Sequence, residues 1–134
     1  MTEKVFMSWH WVDLQIEVLA DKIGNDSKFT IVTGIPRGGL IPAVMLSHKL
    51  GIRYVPYKEA IKASELVLVV DDIADTGHTL TEIGTKGFCT ATLCCRYSTQ
   101  YTPEYYGEEI IDDKWLVFPW EENDSKTIQG YLDN

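Results

Sequence analysis

Apolar residues recur along this chain in two rhythms. Between Trp9 and Ile23 the positions Val12, Ile16, Leu19, Ala20 and Ile23 share one face of a helix. Ser8 stands where it can cap that helix, and Gly24 to Ser27 can end it. Elsewhere the apolar residues come in short runs rich in branched side chains, at 29–33, 52–56, 66–70 and 90–95. Such runs are too short for helices and lack polar alternation, so they predict strands covered on both faces. Pro56 cannot donate to a ladder and places its strand at a sheet edge or end. Residues 40–50, closed by Gly51, and residues 80–86 predict two more helices. The order helix, strand, helix, strand, strand, helix, strand predicts an α/β fold with a parallel sheet and right-handed crossovers. Further on, 97–107 reads as a loop by its polar and aromatic composition, and 108–112 as a short strand. Residues 115–120 are apolar, and the tail from Glu121 reads as acidic, surface-bound or loose.

The chain has 134 residues, enough for one domain with a real core and not for two. A net charge of −8 supplies no basic stripe and argues against a nucleic-acid partner. No apolar run approaches the ~20 residues of a membrane span. The opening residues, Met1 to Ser8, hold no signal-peptide core, which gives the expectation of a cytoplasmic protein. Cys89, Cys94 and Cys95 show no metal-ligand spacing and read as small reduced hydrophobes on a buried strand. Trp9, His10 and Trp11, at a helix start, read as aromatic anchors rather than a ligand box.

Charge changes the picture at the carboxyl end of the 66–70 strand. Asp71 and Asp72 stand side by side, Asp75 follows, and Thr76, Gly77, His78 and Thr79 lead into a helix. Ligands of open α/β sheets bind outside the carboxyl ends of strands. Paired carboxylates there can accept hydrogen bonds from a vicinal diol or hold a divalent cation. The Thr-Gly-His-Thr turn offers backbone N–H groups and two hydroxyls to a phosphate, with the helix dipole helping. A diol and a phosphate a few ångströms apart describe a ribose 5-phosphate. The alternative, a strand ending in a solvated acidic turn, leaves the joint occurrence of strand, acid spacing and turn unexplained. The 29–33 strand also feeds a glycine-rich turn, in which Arg37, Gly38 and Gly39 precede a helix. That turn reads either as a tight βα connection or as a second anion site, in which the glycines admit a ligand and Arg37 brings charge.

The acid-rich stretch resembles the motif of the type I phosphoribosyltransferases that binds phosphoribosyl diphosphate (PRPP), in which an apolar strand precedes Asp/Glu-Asp-x-x-Asp-Thr-Gly-x-Thr. Three further segments are similar to the bacterial xanthine-guanine branch of that family. They are Thr-Glu-Lys-Val-Phe-Met-Ser-Trp near the start, Arg-Gly-Gly-Leu-Ile-Pro-Ala, and Trp-Leu-Val-Phe-Pro-Trp-Glu from Trp115. The resemblance implies one phosphoribosyltransferase domain over 1–134, with helices on both faces of the sheet. A small C-terminal hood from about 108 to 134 would recognise the base. It implies transfer of a phosphoribosyl group from PRPP to a 6-oxopurine, with Mg²⁺ as cofactor, in a homo-oligomer (dimer or tetramer). Asp71 and Asp72 would hold the ribose diol, with Asp72 also at the metal, and Asp75 would exchange a proton with the purine. Thr76, Gly77, His78 and Thr79 would grip the 5-phosphate, and Arg37, Gly38 and Gly39 the pyrophosphate. Arg96 would stand where the family has a lysine reading the 6-oxo group. Trp115 would stack on the purine, beside the Leu116 backbone; core packing is the other reading of Trp115, and a surface strand end that of Arg96. The family's pyrophosphate loop often holds a cis non-proline peptide, which here would be Pro36–Arg37.

One feature departs from the family. A long flexible loop closes over the reacting centre in that family, whereas here about ten residues, 57–66, join the two strands. Lys58 and Lys62 are the nearby cations that could substitute for its basic residues. Loss of the lid opens an alternative function: a noncatalytic PRPP- or nucleotide-binding protein.

Overall fold

The computed structural model describes residues 3–24 and 28–122. In chain order the elements are β1 (Lys4–Phe6), α1 (Trp9–Ile23), β2 (Ile31–Gly34), α2 (Leu40–Leu50), β3 (Arg53–Tyr54), α3 (Tyr57–Ala60), β4 (Val67–Ala74), α4 (His78–Thr85), β5 (Cys89–Arg96), β6 (Tyr105–Ile110) and β7 (Trp115–Val117). Five strands form one parallel sheet in the order β3-β2-β4-β5-β6. β1 and β7 pair in parallel as a separate two-stranded sheet.

The period of two in the strands divides the core. Val32, Leu68, Val70, Ala91 and Leu93 face one way and pack with Val12, Ile16 and Leu19 of α1 and Ala43 and Leu46 of α2. Their neighbours Ile31, Val67 and Val69 face the other way, against Tyr57 and Ala60 of α3 and Leu80 and Ile83 of α4. Helices therefore cover both faces, the arrangement that unbroken apolar strands require. Ser8 accepts from the Trp11 amide at 3.0 Å and starts α1. Gly24, at φ 76, ends it; residues 25–27, expected to complete that stop, lie outside the described residues. Cys89, Cys94 and Cys95 are free, and the last two are buried. β3 lies at a sheet edge, as Pro56 predicts. Among the described residues, no helix is long and apolar enough to cross a membrane.

Three elements differ from the expectation. β4 continues past Val70 through Asp71 and Asp72, because β5 goes on pairing with it at Asp71↔Thr92, Ile73↔Cys94 and Ala74↔Cys95 after β2 has ended. The acids thus sit inside a paired strand rather than in a turn. Residues 105–107, expected in a loop, open the edge strand β6. Gly107, a loop signal in the sequence, admits α1: a Cβ there would press on Gln15 Oε1 and the Leu93 carbonyl. β1 is too short and too exposed to carry a strand pattern, and its partner β7 supplies its reason to exist. Residues 123–134, the end of the expected hood and tail, lie outside the described residues.

Candidate active site

The strand order reverses between β2 and β4. The chain leaves β2 for β3 on one side and returns to β4 on the other, so their carboxyl ends open a crevice. A cavity of about 810 Å³ occupies it. Arg37, Gly38, Asp71, Asp72 and Asp75 to Thr79 all line this one space. Gly39, Arg96, Trp115 and Leu116 do not line it.

The glycine turn after β2 is built for closeness. The Pro36–Arg37 peptide is cis. A Cβ on Gly38 would run into Asp72 Oδ2, so the loop after β2 and the acid on β4 touch through this glycine. Gly39 is closed from the opposite side, where a Cβ would meet the Val70 carbonyl and come within 2.8 Å of Ile35 N. Its absence from the cavity follows: its small size serves the packing of loop on strand, with the Ile35 amide donating to the Val70 carbonyl at 2.9 Å.

Asp71 and Asp72 are half-buried at the strand end. Asp71 Oδ1 accepts from the Asp72 amide at 2.9 Å, and Asp72 Oδ1 from the Ile73 amide at 2.7 Å. Burial raises the Asp71 carboxyl well above the usual range, and the adjacent Asp72 charge adds to it. Burial likewise pushes Asp72 up to about 6, with the Glu121 charge adding and the bonds from Asp71 and Ile73 opposing. Each carboxylate is thus short of positive charge and keeps one oxygen outside these amide bonds. Two hard carboxylates fit Mg²⁺, which completes its shell with water and phosphate oxygens instead of a full protein cage. Among the described residues no group of three or more His, Cys, Asp or Glu forms such a cage.

The turn after β4 leads directly into the N-terminus of α4. Gly77 takes φ 92, which brings Thr76, Gly77 and His78 around the start of α4. Thr81 closes the first turn, its amide and hydroxyl both donating to the Gly77 carbonyl. Nothing in the first turn of α4 is acidic, so its N–H groups meet no competing carboxylate of their own helix.

Arg96 is 6% exposed and does not itself line the cavity. Its Nε donates to Asp75 Oδ1 at 2.9 Å, while Nη1 donates to the carbonyls of Asp112 at 2.8 Å and Lys114 at 3.0 Å. The guanidinium therefore ties the acid on the cavity wall to the backbone leading into β7. Trp115 opens that strand with its side chain 41% exposed. Leu116 is buried and pairs with Val5 of β1.

Trp120, Glu121 and Glu122 line the cavity and had no assigned role in the sequence. The Pro-Trp-Glu end of the quoted segment was their signal. Trp120 stacks on Phe118 with centroids 5.3 Å apart and lies 5.8 Å from Trp9, which gives the anchoring role expected of the first aromatic residues a partner. Residues 57–66, Lys58 and Lys62 among them, do not line the cavity. Tyr57 and Ala60 are buried against the sheet instead.

No protein-family model matches the chain. Solved structures do. A purine phosphoribosyltransferase from Pyrococcus horikoshii is similar at 33% identity and a TM-score of 0.78, over 94% of this chain and 99% of that one. A xanthine-guanine-hypoxanthine phosphoribosyltransferase from Helicobacter pylori shares the fold at 18% identity, with a TM-score of 0.72 over 90% and 93% of the two chains. So does a hypothetical protein from Neisseria gonorrhoeae with bound ppGpp, at 23% identity, with a TM-score of 0.72 over 92% of each chain. The full-length likeness to the archaeal enzyme and the crevice at the β2–β4 switch point agree: the chain belongs to the type I phosphoribosyltransferase family.

Proposed function

We propose that this protein transfers the phosphoribosyl group of PRPP to a purine, giving a purine nucleoside 5-monophosphate and pyrophosphate. One observation carries the reading: the Arg37–Gly38 turn, the Asp71–Asp72 pair and the Asp75 to Thr79 turn all face a single cavity. A pyrophosphate, a ribose diol and a 5-phosphate need those three chemistries within the span of one small molecule.

In the reaction the bond from ribose C1 to pyrophosphate breaks, its electron pair leaving on the pyrophosphate. A C–N bond forms from the purine, and the purine N–H proton passes to a carboxylate. Asp75 is the residue proposed for that proton. Oδ1 is held by Arg96, and Oδ2 has no protein partner among the described residues. Asp71 and Asp72 would bind the diol and, with Asp72 as ligand, the Mg²⁺ whose charge offsets that of the departing pyrophosphate. Arg37 would add a fork of donors to the same group. The 5-phosphate would lie against Thr76, Gly77, His78 and Thr79.

A 6-oxopurine (guanine, xanthine or hypoxanthine) is the finer proposal, supported by the likeness of the Trp115 to Glu121 segment to the xanthine-guanine branch. Trp115 leaves a large indole exposed on the strand that Arg96 tethers beside Asp75, a placement suited to stacking, next to the Leu116 backbone. Arg96 Nη2, which carries none of the three bonds, is the group proposed to meet the 6-oxo oxygen. A second reading has its own observation. The short 57–66 connection opens with α3 and lines no part of the cavity, which favours a nucleotide- or PRPP-binding protein without turnover. Incubation with PRPP, Mg²⁺ and each of guanine, xanthine, hypoxanthine and adenine separates them. Monophosphate formed from an oxopurine supports the transferase; PRPP binding by calorimetry with no product supports the binder.

A further inference from the structure

The turn that would take the 5-phosphate leans on a segment that the cavity never touches. Gln100 donates its amide to the Thr76 carbonyl at 2.9 Å. A Cβ on Gly77 would meet the Tyr101 amide nitrogen at 2.6 Å and Thr99 Oγ1 at 2.8 Å. Two turns along α4, a Cβ on Gly84 would collide with the Tyr101 phenol. Tyr101 therefore presses on the turn with its backbone and on the helix behind it with its ring. Both contact points are glycines.

The far end of Tyr101 is anchored in turn. Its hydroxyl donates to Glu104 Oε1 at 3.1 Å. Glu104 Oε2 accepts from both the amide and the hydroxyl of Thr90, each at 2.7 Å, at the start of β5. Burial would raise the Glu104 carboxyl, but the two Thr90 bonds outweigh it and hold the group below its usual range. The acceptor thus stays ionised and the bonds to it are charge-assisted.

We propose that Tyr101 and Glu104 are positioning residues for the 5-phosphate, holding the Thr76–Thr79 turn in its anion-binding shape from behind. The inference rests on the reading of that turn as the phosphate subsite. Amide donors stabilise an anion only when they converge before it arrives, and Gly77, at φ 92, has the widest conformational range to lose. A brace that removes this freedom in advance strengthens binding without touching the ligand.

The closing experiment compares two ligands on one protein. Calorimetry of the full chain with ribose 5-phosphate reads the turn; pyrophosphate with Mg²⁺ reads the Arg37–Gly38 loop and serves as internal control. Tyr101→Ala should weaken ribose 5-phosphate about tenfold, and Glu104→Gln, which keeps shape but removes the charge and turns one of the two accepting oxygens into a donor, about threefold to fivefold. Pyrophosphate affinity should stay within about twofold for both. Hydrogen exchange at the Gln100 and Thr81 amides, which bond the Thr76 and Gly77 carbonyls, should quicken in both variants of the unliganded protein, with exchange at Ala43 unchanged. Equal losses for the two ligands would mean a general loss of fold and overturn the positioning role. So would unchanged ribose 5-phosphate affinity with unchanged exchange. A wild-type protein that ignores ribose 5-phosphate would instead overturn the subsite reading, and the role of Tyr101 with it. The exchange pattern would then still say whether the loop holds the turn.

Discussion

Arg96 Nε lies 2.9 Å from Asp75 Oδ1, and the same guanidinium holds the carbonyls of Asp112 and Lys114. One buried cation therefore sets both the acid on the cavity wall and the backbone on which Trp115 is mounted. Arg96→Met should cost about 2 kcal/mol in urea unfolding. The figure lies below the ~3–5 kcal/mol of a fully buried broken pair because the half-exposed Asp75 carboxylate can rehydrate. Arg96→Lys, with a point charge in place of a fork, should fall between wild type and Met. Wild-type stability in both variants would show that the tie contributes nothing.

Asp75→Asn removes proton acceptance and keeps shape. Its kcat should fall about 10²–10⁴-fold while the KM for PRPP moves by less than about threefold. A comparable loss of PRPP affinity would make Asp75 a sugar ligand instead.

The two glycines of the loop after β2 should separate function from fold. Gly38→Ala pushes on the Asp72 side chain, which can rotate away, so PRPP affinity should drop about tenfold or more at little cost in stability. Gly39→Ala pushes on backbone atoms of Val70 and Ile35, which cannot yield, and should cost about 2–3 kcal/mol of stability. Thermal melting and calorimetry on the two variants check the pair.

Asp72 also carries a pH signature. Its carboxyl is raised to about 6 in the fold, so between about pH 4 and 6 the unfolded chain has lost a proton that the folded chain keeps. This group's contribution to stability therefore falls as pH rises through that window and is level above it. Asp72→Asn never ionises, so its stability relative to wild type should improve from pH 4 to pH 6.5. A difference that does not change with pH would show that Asp72 is not perturbed.

Trp115→Ala tests the base site. With its side chain 41% exposed, the residue should contribute below about 1 kcal/mol to melting in the unliganded protein. Purine monophosphate affinity should fall about tenfold, for loss of ~1–3 kcal/mol of stacking. A large fall in melting temperature without ligand would return Trp115 to the core.

The parts of the site that the sequence revealed are those that are local in it. Asp71 to Thr79 and Arg37 to Gly38 each sit at a strand-turn-helix junction, and the hydrophobic runs before them fix where the junctions fall. Contacts across the sheet were not legible. The Arg96–Asp75 pair exists because β4 and β5 lie side by side, and no periodicity within either strand announces it. The loop holding Tyr101 looked like connecting chain because its contacts are with two glycines, which leave no mark of their own on a hydrophobic pattern. In the 57–66 connection the sequence drew notice for its lysines, while the buried Tyr57 and Ala60 that pack it on the sheet went unread.

The pairing of β1 with β7 sets an order of assembly. Everything proposed to grip sugar and phosphate lies between Arg37 and Thr79, and the strands that carry it, β2 and β4, meet after a short excursion of chain. The segment proposed to meet the base is held by Lys4 beside Trp115, far apart in sequence. Closing that larger loop costs about 1 kcal/mol more in chain entropy, offset by the burial of Leu116 and Val117. The β1–β7 pair is therefore the last of the described strand pairs that the growing chain can close. On the proposed reading, partial opening of the folded protein at the same seam should weaken purine binding before phosphate binding.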